Sequence, residues 1–138
     1  MTRFEASTHI DAPPEVVWDR LMQTERWTEW DAALERVDGS LAEGGKVTIH
    51  VVDQSRPFPL KVKDWQPPRR LALRGGMPLG LFAGVRTYDL QVREGGTSFR
   101  MVEEYSGLLA PLITRSIPDL QPSFDAFVGG LRAAAESV

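Results

Sequence analysis

Apolar and polar residues alternate in several separate stretches of this chain. Residues 4–10 alternate and read as a first strand. In 46–52, Val47, Ile49 and Val51 fall on one face, and Thr48, His50 and Val52 on the other. Strands are also expected at 60–65 and 70–74, on either side of Gln66-Pro67-Pro68-Arg69, a turn by composition. Two longer runs, 85–93 and 97–106, flank Glu94-Gly95-Gly96, where Gly-Gly between alternating runs signals a hairpin. The period lengthens to that of a helix in the remaining segments. Pro14 suits a first helical position, and Val16, Val17, Trp18 and Leu21 cover one broad face of a helix from 14 to about 23. Glu15 lies in its first turn, where the helix dipole favours negative charge. A second short helix is expected from 25 to about 33, with Trp27 and Trp30 on a shared, packed face. Leu120, Phe124, Phe127, Val128, Leu131 and Ala135 recur at three- and four-residue spacing. They predict a long C-terminal helix around 120–136, started late or kinked by Pro118 and Pro122. The elements add up to an α+β domain of about six or seven antiparallel strands, with two short helices after the first strand.

The hairpin carries the candidate chemistry. A two-residue Gly95-Gly96 loop pairs Val92 with Phe99, Leu90 with Met101, Tyr88 with Glu103 and Arg86 with Tyr105. All eight share one face. Six are apolar or aromatic, so this face is the buried one. The other face carries Thr87, Asp89, Gln91, Arg93, Ser98, Arg100 and Glu104 and is expected to be wet. Arg86 and Glu103 are then two charges pointing inward, diagonal neighbours within reach of each other. A buried charge is costly unless paired. The two are expected to pair, with the Tyr88 or Tyr105 hydroxyls as further partners. Either the pair is structural, or it is a polar anchor that orients a carboxylate, carbonyl or hydroxyl of a ligand.

Composition narrows the function. The chain has 138 residues, which suits one domain spanning 1–138, and its 42% hydrophobic content supports a core. A net charge of −3 argues against a nucleic-acid partner. There is no cysteine, hence no disulfide framework or thiolate chemistry. Residues 1–5 show no apolar signal core, and the apolar stretches 77–85 and 108–113 are too short to span a bilayer. No stable membrane insertion and a cytoplasmic location are therefore expected. His9 and His50, the only histidines, fall on outward positions, so neither a metal site nor a cofactor is expected. No histidine remains to serve a serine nucleophile, and Gly-x-Ser-x-Gly is absent. Two glycine-containing apolar loops, 75–84 and 107–113, read as either tucked against the long helix or forming a portal or contact surface. Gly129-Gly130 inside the helix suggests close approach to the sheet, or flexibility over a cavity mouth.

Residues 12–30, running from Ala12-Pro13-Pro14-Glu15 through Trp27 and Trp30, resemble the opening of the START-like (SRPBCC) superfamily. The resemblance extends over nearly the whole chain. It takes in Pro67-Pro68-Arg69-Arg70-Leu71, Gly95-Gly96-Thr97 and Glu103 followed by Tyr105-Ser106-Gly107-Leu108-Leu109. It implies the helix-grip fold, in which a strongly curved sheet wraps the long C-terminal helix around a ligand cavity. The leading expectation is binding of a small, mostly apolar molecule there. The expected ligand-binding residues are Arg86, Tyr88, Leu90, Met101, Glu103, Tyr105, Phe124, Phe127 and Leu131, with Val47, Ile49, Leu71 and Leu73 as further liners. The resemblance also implies two alternatives. One is a cyclase- or dehydratase-type enzyme, with Glu103 as the proton-transfer group and a tyrosine hydroxyl polarising a carbonyl. The other is a protein-interaction module, as in the chaperone-activator branch, that uses the apolar loops.

Overall fold

A computed structural model describes residues 3–52, 55–117 and 119–137. Its elements are β1 (Arg3–Ile10), α1 (Pro14–Leu21), a 3-10 turn (Thr24–Arg26), α2 (Trp27–Trp30), β2 (Leu34–Gly39) and β3 (Lys46–Val51). There follow β4 (Phe58–Gln66), β5 (Arg70–Met77), β6 (Phe82–Arg93), β7 (Gly96–Ser106), α3 (Ala110–Ile113), a second 3-10 turn (Thr114–Ser116) and α4 (Gln121–Glu136). The seven strands form one antiparallel sheet in the order β1-β7-β6-β5-β4-β3-β2. It curls around α4, which packs on β1 and β7 and beneath α1 and α2. This is the α+β helix-grip architecture.

Period-two alternation explains which strand face is buried. Val47, Ile49, Leu71, Leu73, Tyr88, Leu90, Phe99 and Met101 all point toward the helix and are buried. Phe124, Phe127, Val128, Leu131, Ala134 and Ala135, the stripe of α4, join all of these but Ile49 in one core cluster. Pro122 occupies the first turn of α4, so the helix starts late, as the prolines require; Pro118 lies outside the described residues.

The expected helix at 25–33 is shorter. It consists of the 3-10 turn and α2, and the chain leaves α2 at Asp31, whose carboxylate accepts the Ala33 N–H at 3.0 Å. Trp27 and Trp30 pack edge-on against Phe127, with ring centroids 5.1 and 5.5 Å away, and the Trp27 indole N–H donates to the Leu21 carbonyl at 3.0 Å. Gly130 makes its close approach to this tryptophan rather than to the sheet: a Cβ there would lie 2.4 Å from Trp30 Cβ. Gly129 faces open space.

Most of the segment 75–84 is strand. Gly75 to Met77 belong to β5 and pair with Phe82 to Gly84 of β6, leaving a turn at 78–81. The stretch 107–113 ends in the short helix α3.

A polar cluster at the end of the concave face

The β6–β7 hairpin turns at Glu94-Gly95, not Gly95-Gly96. Both residues have positive φ, 50° and 79°, as a two-residue turn matched to strand twist requires. The register is therefore two residues from the expected one: Val92 pairs with Thr97, Leu90 with Phe99, Tyr88 with Met101 and Arg86 with Glu103. A shift of two keeps every side chain on its face. It turns the diagonal Arg86–Glu103 pair into a directly opposed one. It also leaves Val92 near the turn, where it is exposed instead of lining the interior.

Arg86 Nε donates to Glu103 Oε1 at 3.1 Å, and the two side chains are 18% and 14% exposed. The Tyr105 hydroxyl donates to the other carboxylate oxygen of Glu103. The guanidinium also lies 4.7 Å from the centroid of the Phe124 ring, a cation–π contact made from the helix side. Two rings frame Tyr105: Phe82 stacks on it with centroids 5.8 Å apart, and Phe4 of β1 meets it edge-on at 6.4 Å. Neither Phe4 nor Phe82 was singled out in the sequence. The inward parity of β1 marks Phe4, whereas Phe82 sits in a segment whose glycines and proline resemble a loop.

Tyr88 lies one step deeper on β6, against Trp27, Phe99 and Phe127. It is fully buried, and among the described residues its hydroxyl has no well-formed hydrogen bond, although the Arg86 guanidinium stands close enough to act as a donor. Burial pushes its pKa up, because the phenolate would be stranded in apolar surroundings, and the nearby Arg86 charge offsets this only in part. Burial and then the Glu103 carboxylate push Tyr105 up as well. Burial works against the charge on Arg86, but the Glu103 carboxylate beside it prevails and holds the guanidinium above its ordinary pKa.

The structure thus brings Arg86, Glu103, Tyr105 and Phe124 into direct contact, with Tyr88 adjacent. Leu90, Met101, Phe127 and Leu131 continue the same face inward, each at most 1% exposed. Two open hollows, of about 370 and 460 Å³, lie elsewhere, on the β4–β5 side and around Arg69 to Val92. His9 and His50 face outward near Asp11 and Asp38, at 3.3 and 2.8 Å. Among the described residues no helix is long and apolar enough to cross a membrane.

A curled antiparallel sheet gripping a long C-terminal helix is the fold of the START-like class. Residues 1–136 match the sequence profile of the family described as polyketide cyclase / dehydrase and lipid transport, and the chain belongs to that family. No curated protein sequence matches it. Solved structures with the same fold include a Mesorhizobium loti protein, 22% identical with a TM-score of 0.75, the match covering 99% of this chain and 98% of that one. The Aha1 dimer of Colwellia psychrerythraea is 15% identical with a TM-score of 0.70, over 99% of this chain and 97% of that one. The di-domain ARO/CYC StfQ of the steffimycin biosynthetic pathway is 11% identical with a TM-score of 0.71, over 98% of this chain and 50% of that one. At these identities the likeness speaks for the fold alone.

Proposed function

We propose that the protein binds a small, mostly apolar molecule bearing one polar group, with that group held by Arg86, Glu103, Tyr105 and Tyr88. The observation that carries this reading is the Tyr88 hydroxyl, buried beside Arg86 and, among the described residues, without a well-formed hydrogen bond. An unmatched buried hydroxyl costs about 1–3 kcal/mol, which a ligand's carbonyl, carboxylate or hydroxyl would recover. An apolar wall with a few convergent polar groups is the usual make-up of a small-molecule site. The family description, which joins polyketide cyclases and dehydrases to lipid transport, supports the same ligand class.

The ligand's apolar part takes space now held by side chains near the cluster, where Phe4 and Phe82 are only half-buried. Its apparent affinity therefore includes the cost of moving them. The test is displacement of an environment-sensitive apolar dye by lipophilic acids, phenols and ketides. Arg86→Leu is expected to keep dye binding and abolish the preference for polar head groups. Dye binding that is indifferent to all of these compounds overturns the reading.

A cyclase- or dehydratase-type reaction is favoured by one contact, the Tyr105 hydroxyl donating to Glu103. That contact sets a proton donor beside a carboxylate, the pairing that proton transfer uses. Conversion of a bound polyketide by the wild type, lost in Glu103→Gln, would establish it.

A further inference from the structure

The turn at 78–81 and the loop before α3 form one surface. The Leu108 N–H donates to the Gly80 carbonyl at 3.1 Å and the Leu109 N–H to the Leu81 carbonyl at 2.8 Å. This doubled tip carries Leu79, Leu108, Leu112 and Met77, which are 91%, 81%, 63% and 48% exposed. No charged residue occurs in 77–84 or 105–113. Single exposed apolar side chains are ordinary, but Leu79 and Leu108 on two bonded loops, flanked by Met77 at the end of β5 and Leu112 in α3, make a patch.

Beside the patch, on the convex face, three cations stand in a row. Lys46 pairs directly with Lys61, and Lys61 with Arg74. Like charges directly opposed on neighbouring strands repel. Among the described residues none of the three forms an ion pair. The row continues through Val85 to Glu104, so its acid lies two strands beyond Arg74. The cations and the apolar tip share a single open hollow of about 370 Å³, lined by Lys46, Lys61, Arg74, Met77, Pro78 and Phe82.

We propose that this face docks reversibly on an anionic lipid bilayer, with Leu79 and Leu108 dipping into the headgroup boundary and Lys46, Lys61 and Arg74 meeting the lipid phosphates. Apolar side chains flanked by unpaired cations have the chemistry of an interfacial membrane contact. Phe82 joins the two sites, since it lines the hollow and stacks on Tyr105. The docking inference rests on surface residues and stands independently of the ligand reading.

Co-sedimentation with phosphatidylcholine vesicles, with and without phosphatidylglycerol, tests it. The wild type is expected to sediment with the phosphatidylglycerol vesicles only and to be released by salt. Each cation near such a surface is worth about fivefold in partitioning, so Lys61→Glu with Arg74→Glu should lower binding more than about tenfold. Leu79→Asp with Leu108→Asp should abolish it. All four positions are exposed, so the variants should keep the wild-type thermal midpoint and the dye binding. Three results overturn the proposal. The leucine variant could sediment like the wild type. The wild type could ignore the vesicles while inorganic phosphate raises its midpoint through Lys61 and Arg74, which points to a soluble anion. The wild type could ignore them and form a dimer that Leu79→Asp dissolves, which points to a second copy of the chain. Loss of vesicle binding with dye binding intact would leave the ligand reading standing.

Discussion

Glu103→Ala isolates the energetics of the inward pair. The substitution removes the acceptor of the Arg86 Nε bond and of the Tyr105 hydroxyl at once. Breaking a buried ion pair from one side costs about 3–5 kcal/mol, because an uncompensated charge remains. Arg86 is 18% exposed, so some water reaches it, and its contact with Phe124 survives the change. Those two effects reduce the expected loss to about 2–4 kcal/mol, including about 1 kcal/mol for the orphaned Tyr105 hydroxyl. Urea unfolding followed by tryptophan fluorescence measures it directly, provided the m-value is unchanged. Replacing both partners, Arg86→Leu with Glu103→Leu, removes the charge and the desolvation together. The double variant should lie within about 1.5 kcal/mol of the wild type, well short of the sum of the single losses. A loss below about 0.5 kcal/mol for Glu103→Ala would refute the reasoning, since that is the size of a neutral surface change.

Other perturbations separate packing from function. Tyr88→Phe deletes a buried hydroxyl that lacks a well-formed hydrogen bond among the described residues, so the ligand-free protein should stay within about 0.5 kcal/mol of the wild type while head-group preference weakens; chemical denaturation and dye displacement read the two effects. Gly129→Ala should stabilise by about 0.5–1 kcal/mol through helix propensity, whereas Gly130→Ala should destabilise, because its Cβ would overlap Trp30; paired thermal melts show the opposite signs. The chain's two tyrosines both have raised folded-state pKa values, so their protonated forms support folding below about pH 10, and that support is lost as pH rises above it. Ultraviolet titration should therefore show no phenolate at pH 10 and a cooperative rise only on alkaline unfolding. Glu5 is held at a pKa of about 2 by its bonds to Arg100, at 2.9 and 3.0 Å, and to Arg3, so its contribution is present above about pH 4.5 and disappears as pH falls through about 2. A carboxyl-carbon NMR titration midpoint near 4.5 would contradict that.

Strand faces were legible in the sequence because alternation fixes parity without fixing register. Register depends on which two residues of Glu94-Gly95-Gly96 take positive φ, and Glu94 can do so where composition favours the glycines. A register two residues away keeps the same inward set, so the Arg86–Glu103 pair is legible from parity alone. β2 went unseen because it is an edge strand with no apolar stripe: only Leu34 and Val37 are half-buried, among exposed Glu35, Arg36 and Asp38. The ends of β5 and β6 were hidden by glycines that read as a loop but continue the ladder as Gly75–Gly84 and Gly76–Ala83. Side-chain fill of the interior depends on rotamers and helix placement, which periodicity does not encode. The Trp30–Gly130 contact is of the same kind, joining residues from two helices far apart in the chain.

Fluorine NMR of the protein labelled with 3-fluorotyrosine tests the central claim most directly, because both tyrosines sit at the proposed site. During titration with a lipophilic acid, phenol or ketide that displaces the dye, both resonances should shift or exchange with the midpoint of displacement. The Tyr88 signal should change most, since its hydroxyl gains a partner. Two resonances that stay fixed while the compound binds would place the ligand elsewhere and contradict the account.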